Sequence, residues 1–158
     1  MQDDRVTNVI IAGLGGQGVL KASNILTAAA FKAGYDVKKS EIHGMSQRGG
    51  SVSSDVRFGK KVYSPIVPPG QADVLLVLAA DQVEVNRHSL KPDGLVIAPD
   101  AIDAARLTNK RSLNVALLGV LSRHLAIAAE YWIGAIKDNL EPKLHQDNLQ
   151  AFELGRGA

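Results

Sequence analysis

Two glycine-rich runs carry the residues of this chain that could do chemistry. The first, Gly13-Leu14-Gly15-Gly16-Gln17-Gly18, has G-x-G-x-x-G spacing and follows the β-branched run Val9-Ile10-Ile11-Ala12. Glycine there permits a tight turn and close backbone approach, and a helix starting after it offers free N–H groups to an anion. A dinucleotide site also needs an acid near the end of the second strand, about 20 positions on, to hold the ribose. Asp36 lies at about that distance but at the beginning of the second strand, while Glu41 is near its end but further away. The run is therefore compatible with a dinucleotide, with another anion, or with a structural turn. A P-loop is excluded, because Val19 and Leu20 stand where Lys and Ser/Thr would meet phosphate and Mg²⁺.

The second run, Gly44-Met45-Ser46-Gln47-Arg48-Gly49-Gly50, starts like a nucleophile elbow but has Arg48 where that motif needs glycine. A guanidinium beside Gly49 and Gly50 can approach a carboxylate, a phosphate or a partner's backbone closely. An internal ion pair with an acid such as Glu41 explains the same residue equally well. His43, His88, His124 and His145 show no metal-ligand spacing and read as surface or structural residues. His43 stands apart only because it adjoins the second run, where an imidazole could relay a proton or order the loop.

The elements that must position these runs follow from periodicity. The run at Val9 reads as a strand buried on both faces. Ala22, Ile25, Leu26, Ala29, Ala30 and Ala33 then mark one helical face, stopped by Gly34. A second strand is predicted over 35–42. Val52, Ser54, Val56 and Phe58 alternate with polar residues as a half-buried strand. Gly59-Lys60 suggests a tight hairpin into Val62-Tyr63, giving an antiparallel pair. Arg57, Lys60 and Lys61 on it read as a solvated face.

Further strands are predicted at 72–78 and 95–98. A helix is predicted over 81–90 with Asp81 as N-cap, and Pro92-Asp93-Gly94 reads as a turn. Helices over 112–125, around Trp132 to Leu140, and from Pro142 make the C-terminal third helical. Both glycine runs then follow strand C-terminal ends, the edge where α/β sheets place ligands. The expected fold is α/β: three-layer α/β/α, a mostly parallel mixed sheet, a Rossmann-like opening, and one domain over 1–158. Between the strand at 95–98 and the next helix, a crossover-sized element is missing. A stretch omitted between Ile102 and Leu107 would explain this, and an intact mass of 16.8 kDa would exclude it.

Composition sets the limits. The chain has 158 residues, 18 Lys+Arg against 16 Asp+Glu, and no cysteine. A net charge of +2 is too small to imply a grip on nucleic acid or a membrane surface. No apolar run reaches transmembrane length, and the N-terminus does not read as an export signal, so a cytoplasmic location is expected. Zero cysteine excludes a thiolate nucleophile, a disulfide scaffold and thiolate ligation of zinc or an iron–sulfur cluster by this chain.

Taken together, the segments from Val9 to Gly18 and from His43 to Val52 resemble the gamma subunit or domain of 2-oxoacid:ferredoxin oxidoreductases. Ala72-Asp73-Val74-Leu75 and Asn114-Val115-Ala116-Leu117-Leu118-Gly119 extend the resemblance over nearly the whole chain. The tail from Tyr131-Trp132 to Phe152 is most similar to the beta subunit of the indolepyruvate enzymes. The resemblance implies a share in a complex that oxidatively decarboxylates a 2-oxoacid, transfers the acyl group to coenzyme A and passes electrons to ferredoxin. Thiamine diphosphate, Mg²⁺ and the iron–sulfur clusters are then expected on a large partner subunit, since the Gly-Asp-Gly…Asn signature and cysteine are both absent here. It assigns Gly13, Gly15, Gly16, Gln17 and Gly18 to loop shape and anion contact, with Arg48, Gly49 and Gly50 as a second wall. No catalytic residue is assigned to this chain.

Overall fold

The computed structural model describes residues 4–43 and 50–158, without the side chain of His43. The second glycine run therefore lies outside the described residues, except for Gly50.

The strands are β1 (Thr7–Leu14), β2 (Asp36–His43), β3 (Ser51–Gly59), β4 (Ala72–Val77) and β5 (Leu90–Ile97). They form one mixed sheet in the order β2-β3-β1-β4-β5. β4 lies parallel to β1 and β5 parallel to β4, whereas β3 is antiparallel to both β1 and β2. The helices are α1 (Val19–Lys32), α2 (Gln82–Asn86), α3 (Leu113–Ser122), α4 (Ala129–Asn139) and α5 (His145–Arg156).

Alternation along the strands divides the core unequally. Val9 and Ile11 of β1, Val56 and Phe58 of β3, and Val74 and Leu76 of β4 face the larger cluster with α1, α3, α4 and α5. Trp132 and Phe152 fill its centre, both fully buried, with ring centroids 5.9 Å apart. Burial of such a side chain contributes about 1.5–3 kcal/mol. On the other face Ile10, Ala12, Leu75 and Val77 meet only Val67, Val83 of the five-residue α2, and neighbours. The third layer is thus thin.

That layer is pinned by charged side chains of the sheet. Asp36 accepts the Val62 amide (2.8 Å), Asp55 accepts the Val67 amide (2.9 Å), and Arg57 donates to the Ser64 carbonyl and to Asn8 Oδ1 (both 2.8 Å). The Val62 amide lowers the Asp36 pKa, while burial raises that of Asp55 against the Val67 amide and Arg57.

Three expectations change here. Val62-Tyr63 forms no strand, because the Val62 amide is taken by Asp36; the antiparallel partners of β3 are β2 and β1 instead. Arg57 is a tie between sheet and third layer rather than a solvated residue. Pro92-Asp93-Gly94 is not a turn between elements but an irregularity within β5, where the register against β4 jumps between Ala72 and Val74. Pro92 and Asp93 lie outside the ladder, and Lys91 beside them pairs with Asp73 at 2.8 Å.

The connection from β5 to α3 contains three short 3-10 turns, Pro99–Ala101, Ala104–Arg106 and Lys110–Ser112. No strand follows β5 among the described residues. The connection from β5 to α3 therefore consists of these turns, where a crossover to a further parallel strand would need a helix-sized element. Asp81 stands at the cap position of α2 but its side chain makes no cap bond.

Candidate functional site

The first glycine run sits where the sheet reverses its order. From β1 the chain leaves through α1 toward β2 on one side, while β4 and β5 continue on the other. The crevice at such a reversal, at the strand C-terminal ends, is where open α/β sheets bind ligands.

The loop is held from three directions. Gly15 donates its amide to the Gly50 carbonyl at 2.9 Å, joining the first run to the end of the second. The Gln17 side chain accepts the Leu14 amide (2.7 Å) and donates to the Leu78 carbonyl (3.4 Å), tying the turn to the end of β4. Asn114, at the start of α3 and only 7% exposed, donates to the Gly18 carbonyl at 3.2 Å.

The glycines differ in what they do. A Cβ on Gly13 would lie 2.9 Å from Gln17 Oε1 and 3.0 Å from Val19 Cγ2, so this buried position is small for packing reasons. Gly16 and Gly18 have φ of 88° and 86°, in the left-handed region that glycine occupies without strain. Gly16 faces open space, whereas a Cβ on Gly18 would lie 2.5 Å from Asn114 Nδ2. Gly15 and Gly16 are exposed.

The N-cap of α1 is Gly18, which has no side chain to cap the helix, and the first turn contains no acid. Its leading N–H groups have no partner within the helix, and the helix dipole favours an anion there. Backbone donors and an exposed glycine can cradle a phosphate or carboxylate. Gln17 is occupied within the loop and contributes shape rather than a free donor. Arg48 and Gly49 lie outside the described residues; Gly50 is joined to the first run through its carbonyl.

The ribose-holding acid of a dinucleotide site has no counterpart among the described residues. β3 lies between β1 and β2, so the two strands that would flank the nucleotide are not adjacent. Asp36 is at the far end of its strand, bonded to Val62, and Glu41 is paired with Lys39 at 2.5 Å. Sequence reasoning also missed the contact of Asn114 with Gly18, which crosses 96 positions and leaves no local signal. His145 Nε2 lies 2.8 Å from the Leu140 carbonyl at the end of α4, a structural position.

The family described as pyruvate ferredoxin/flavodoxin oxidoreductase matches residues 8–158. The chain belongs to this family. As a pyruvate ferredoxin/flavodoxin oxidoreductase family member it is 37% identical to an indolepyruvate oxidoreductase subunit of Pyrococcus horikoshii, over 94% of this chain and 93% of that protein. A subunit of the same description from Methanothermobacter thermautotrophicus is 32% identical over 96% of both. The alignment to the Pyrococcus protein runs to 190 positions, so more than thirty face no residue of this family member.

Among solved structures, the fold matches a 2-oxoglutarate:ferredoxin oxidoreductase from Magnetococcus marinus with 2-oxoglutarate, coenzyme A and succinyl-CoA bound. The TM-score is 0.83 at 21% identity, over 98% of this chain and 31% of that one. A keto/oxoacid ferredoxin oxidoreductase gamma subunit from Geobacter sulfurreducens matches with TM-score 0.79 at 20% identity, over 96% and 94%. The mixed-sheet α/β fold is therefore that of the oxidoreductase gamma subunits.

The residue set limits what this family member can ligate. It has no cysteine for an iron–sulfur cluster. Among the described residues, no group of three or more His, Asp or Glu side chains is placed to hold a metal. No helix among them is long and apolar enough to cross a membrane.

Proposed function

We propose that this chain is the small subunit of a thiamine-diphosphate-dependent 2-oxoacid:ferredoxin oxidoreductase acting on an aryl or branched 2-oxoacid, indolepyruvate foremost. The net reaction converts the 2-oxoacid and coenzyme A to acyl-CoA and CO₂, with two electrons passing to ferredoxin. Thiamine diphosphate, Mg²⁺ and the clusters belong to the large partner subunit, and ferredoxin meets the complex rather than this chain. The names of the relatives support the substrate class.

The observation that carries the share of this chain is the glycine edge, a firmly held loop with exposed backbone at Gly15 and Gly16 beside the glycine-capped end of α1. Gly13, Gly15, Gly16, Gln17 and Gly18 shape it, with Arg48, Gly49 and Gly50 as its second wall. It meets either the phosphates of coenzyme A or an acidic segment of the large subunit, without supplying a catalytic group.

Reconstitution tests this reading. The isolated chain should reduce no viologen dye with any 2-oxoacid, and activity should appear on adding the large subunit. Arg48→Ala should weaken the activity of the complex while leaving the melting temperature of the chain nearly unchanged. Turnover by the isolated chain, or tight calorimetric binding of NAD(H) or FAD, would overturn it in favour of a free-standing nucleotide-binding protein.

A further inference from the structure

A second site lies at the opposite end of the sheet. A cavity of about 820 Å³ opens where β1 and β4 begin and where α1 and α3 end. It is within the range of small-molecule sites, about 300–1,000 Å³. β1 runs its full eight residues between this cavity and the glycine edge, a separation of roughly 25 Å.

Part of its lining is hydrocarbon and its walls are fixed. Val6, Val74, Leu95 and Leu125 supply hydrocarbon surface. Tyr35 is held there from both ends. Gly34, with φ of 97°, turns the chain at the end of α1 so that the Tyr35 amide bonds the Ala30 carbonyl. The ring then packs on Phe58 with centroids 5.1 Å apart, and its hydroxyl donates to the Ala126 carbonyl at 2.9 Å. Gly59 lets the segment from Arg5 to Val6 pass close, since a Cβ there would lie 2.9 Å from the Arg5 carbonyl.

The rim is rich in nitrogen donors. Arg5, Lys60 and His124 line it, and all three are exposed. Two carboxylates face them. Asp73 is already taken by the Asn8 amide and Lys91 Nζ, both at 2.8 Å, and the latter bond raises the Lys91 pKa. Asp4 stands 3.7 Å from Lys60 with its side chain 82% exposed, a contact that solvent screens. An incoming anion therefore meets the Lys60 ammonium, whose nearby Asp4 carboxylate stands in water, beside the His124 ring.

We propose that this cavity binds an amphipathic carboxylate, an organic acid whose apolar or aromatic body lies on the Val74–Leu125 floor and whose carboxylate meets Lys60 and His124. A bare anion gains nothing from the floor, and a neutral apolar molecule gains nothing from the rim. The site is separate from the glycine edge, and its failure would leave the subunit assignment untouched.

Calorimetry and amide chemical-shift mapping on the full chain test this, with indole-3-acetate as the aromatic carboxylate, indole-3-ethanol as its neutral counterpart and inorganic phosphate as the bare anion. Indole-3-acetate should bind, moving the amides of Tyr35, Leu95 and Leu125, and indole-3-ethanol should bind about tenfold or more weakly. Lys60→Glu, at an exposed position, should weaken indole-3-acetate by about tenfold without lowering the melting temperature. Leu125→Trp, which fills the floor, should abolish binding. Equal binding of indole-3-ethanol, full displacement by phosphate, or unchanged affinity in Lys60→Glu would each overturn the proposal.

Discussion

Asn114 donates through Nδ2 to the carbonyl of Gly18 at 3.2 Å, so the start of α3 holds the cap of α1. Its own Oδ1 accepts the Val115 amide at 2.9 Å, which fixes the side chain for this contact. Two of the glycines in the loop share a left-handed φ, but only Gly18 faces this asparagine. Gly16→Ala should therefore cost about 1–2 kcal/mol from backbone strain alone. Gly18→Ala should cost more, because its Cβ also displaces Asn114, and Asn114→Ala should cost about 1–3 kcal/mol. Urea unfolding of the three variants gives the order; a Gly16→Ala loss equal to that of Gly18→Ala would refute the role of Asn114.

The contact between α3 and α5 leaves no room for a methyl group. A Cβ on Gly155 would lie 1.9 Å from the Ala116 carbonyl oxygen, and one on Gly119 would lie 2.2 Å from that of Phe152. Both obstacles are backbone, so neither can rotate away. Gly155→Ala is expected to destabilise by about 3 kcal/mol or more, at the upper end for overpacking. Gly134→Ala in α4 is the control. Its Cβ would meet only the Lys32 side chain, at 3.6 Å, and should stabilise by about 0.5–1 kcal/mol.

Asp55 and Asp36 respond to acid in opposite senses. Burial raises the Asp55 pKa in the folded chain, so folding binds its proton more tightly and its ionisation costs stability as pH rises from the unfolded value through the folded one. Asp36 has its pKa lowered by the Val62 amide, so its contribution is present above the ordinary carboxylate range and lost as pH falls through the lowered value. Asp55→Asn keeps an oxygen for the Val67 amide and removes the buried charge. It should melt higher than wild type at pH 7, with the gain shrinking as pH falls through the raised folded value and gone below about pH 4. A gain that does not change with pH would contradict this account.

The Ser54 hydroxyl is fully buried with no hydrogen-bond partner among the described residues, on the face of β3 that packs toward α1. An unsatisfied buried hydroxyl costs about 1–3 kcal/mol. Ser54→Ala should accordingly raise stability by about 1 kcal/mol in denaturant unfolding, and a loss of that size would show that the hydroxyl is in fact engaged.

Local signals in the sequence were enough for β1, the glycine turn and α1, because strand, turn and helix are contiguous and each has its own period. The helices around Val115, Leu118 and Leu121, and around Trp132 and Ile136, were legible for the same reason. What local pattern could not show was the place of β3 between β1 and β2. Gly59-Lys60 has good turn chemistry, yet a carboxylate 26 positions away captures the Val62 amide that a hairpin would need. Gln17 was readable as a polar residue in a loop, but its use depends on Leu78, which is 61 positions distant. The G-x-G-x-x-G spacing announced an anion-friendly turn. The strand order removes the dinucleotide from that prospect.

The backbone-to-backbone seam between α3 and α5 has a mechanical consequence. With no side chains between Gly119 and Gly155 to act as cushions, the two helices cannot slide past one another and must move as one stiff body. The far end of that body is Asn114, which touches Gly18. The glycine loop therefore rests, through Asn114, on one end of a closely packed helix pair.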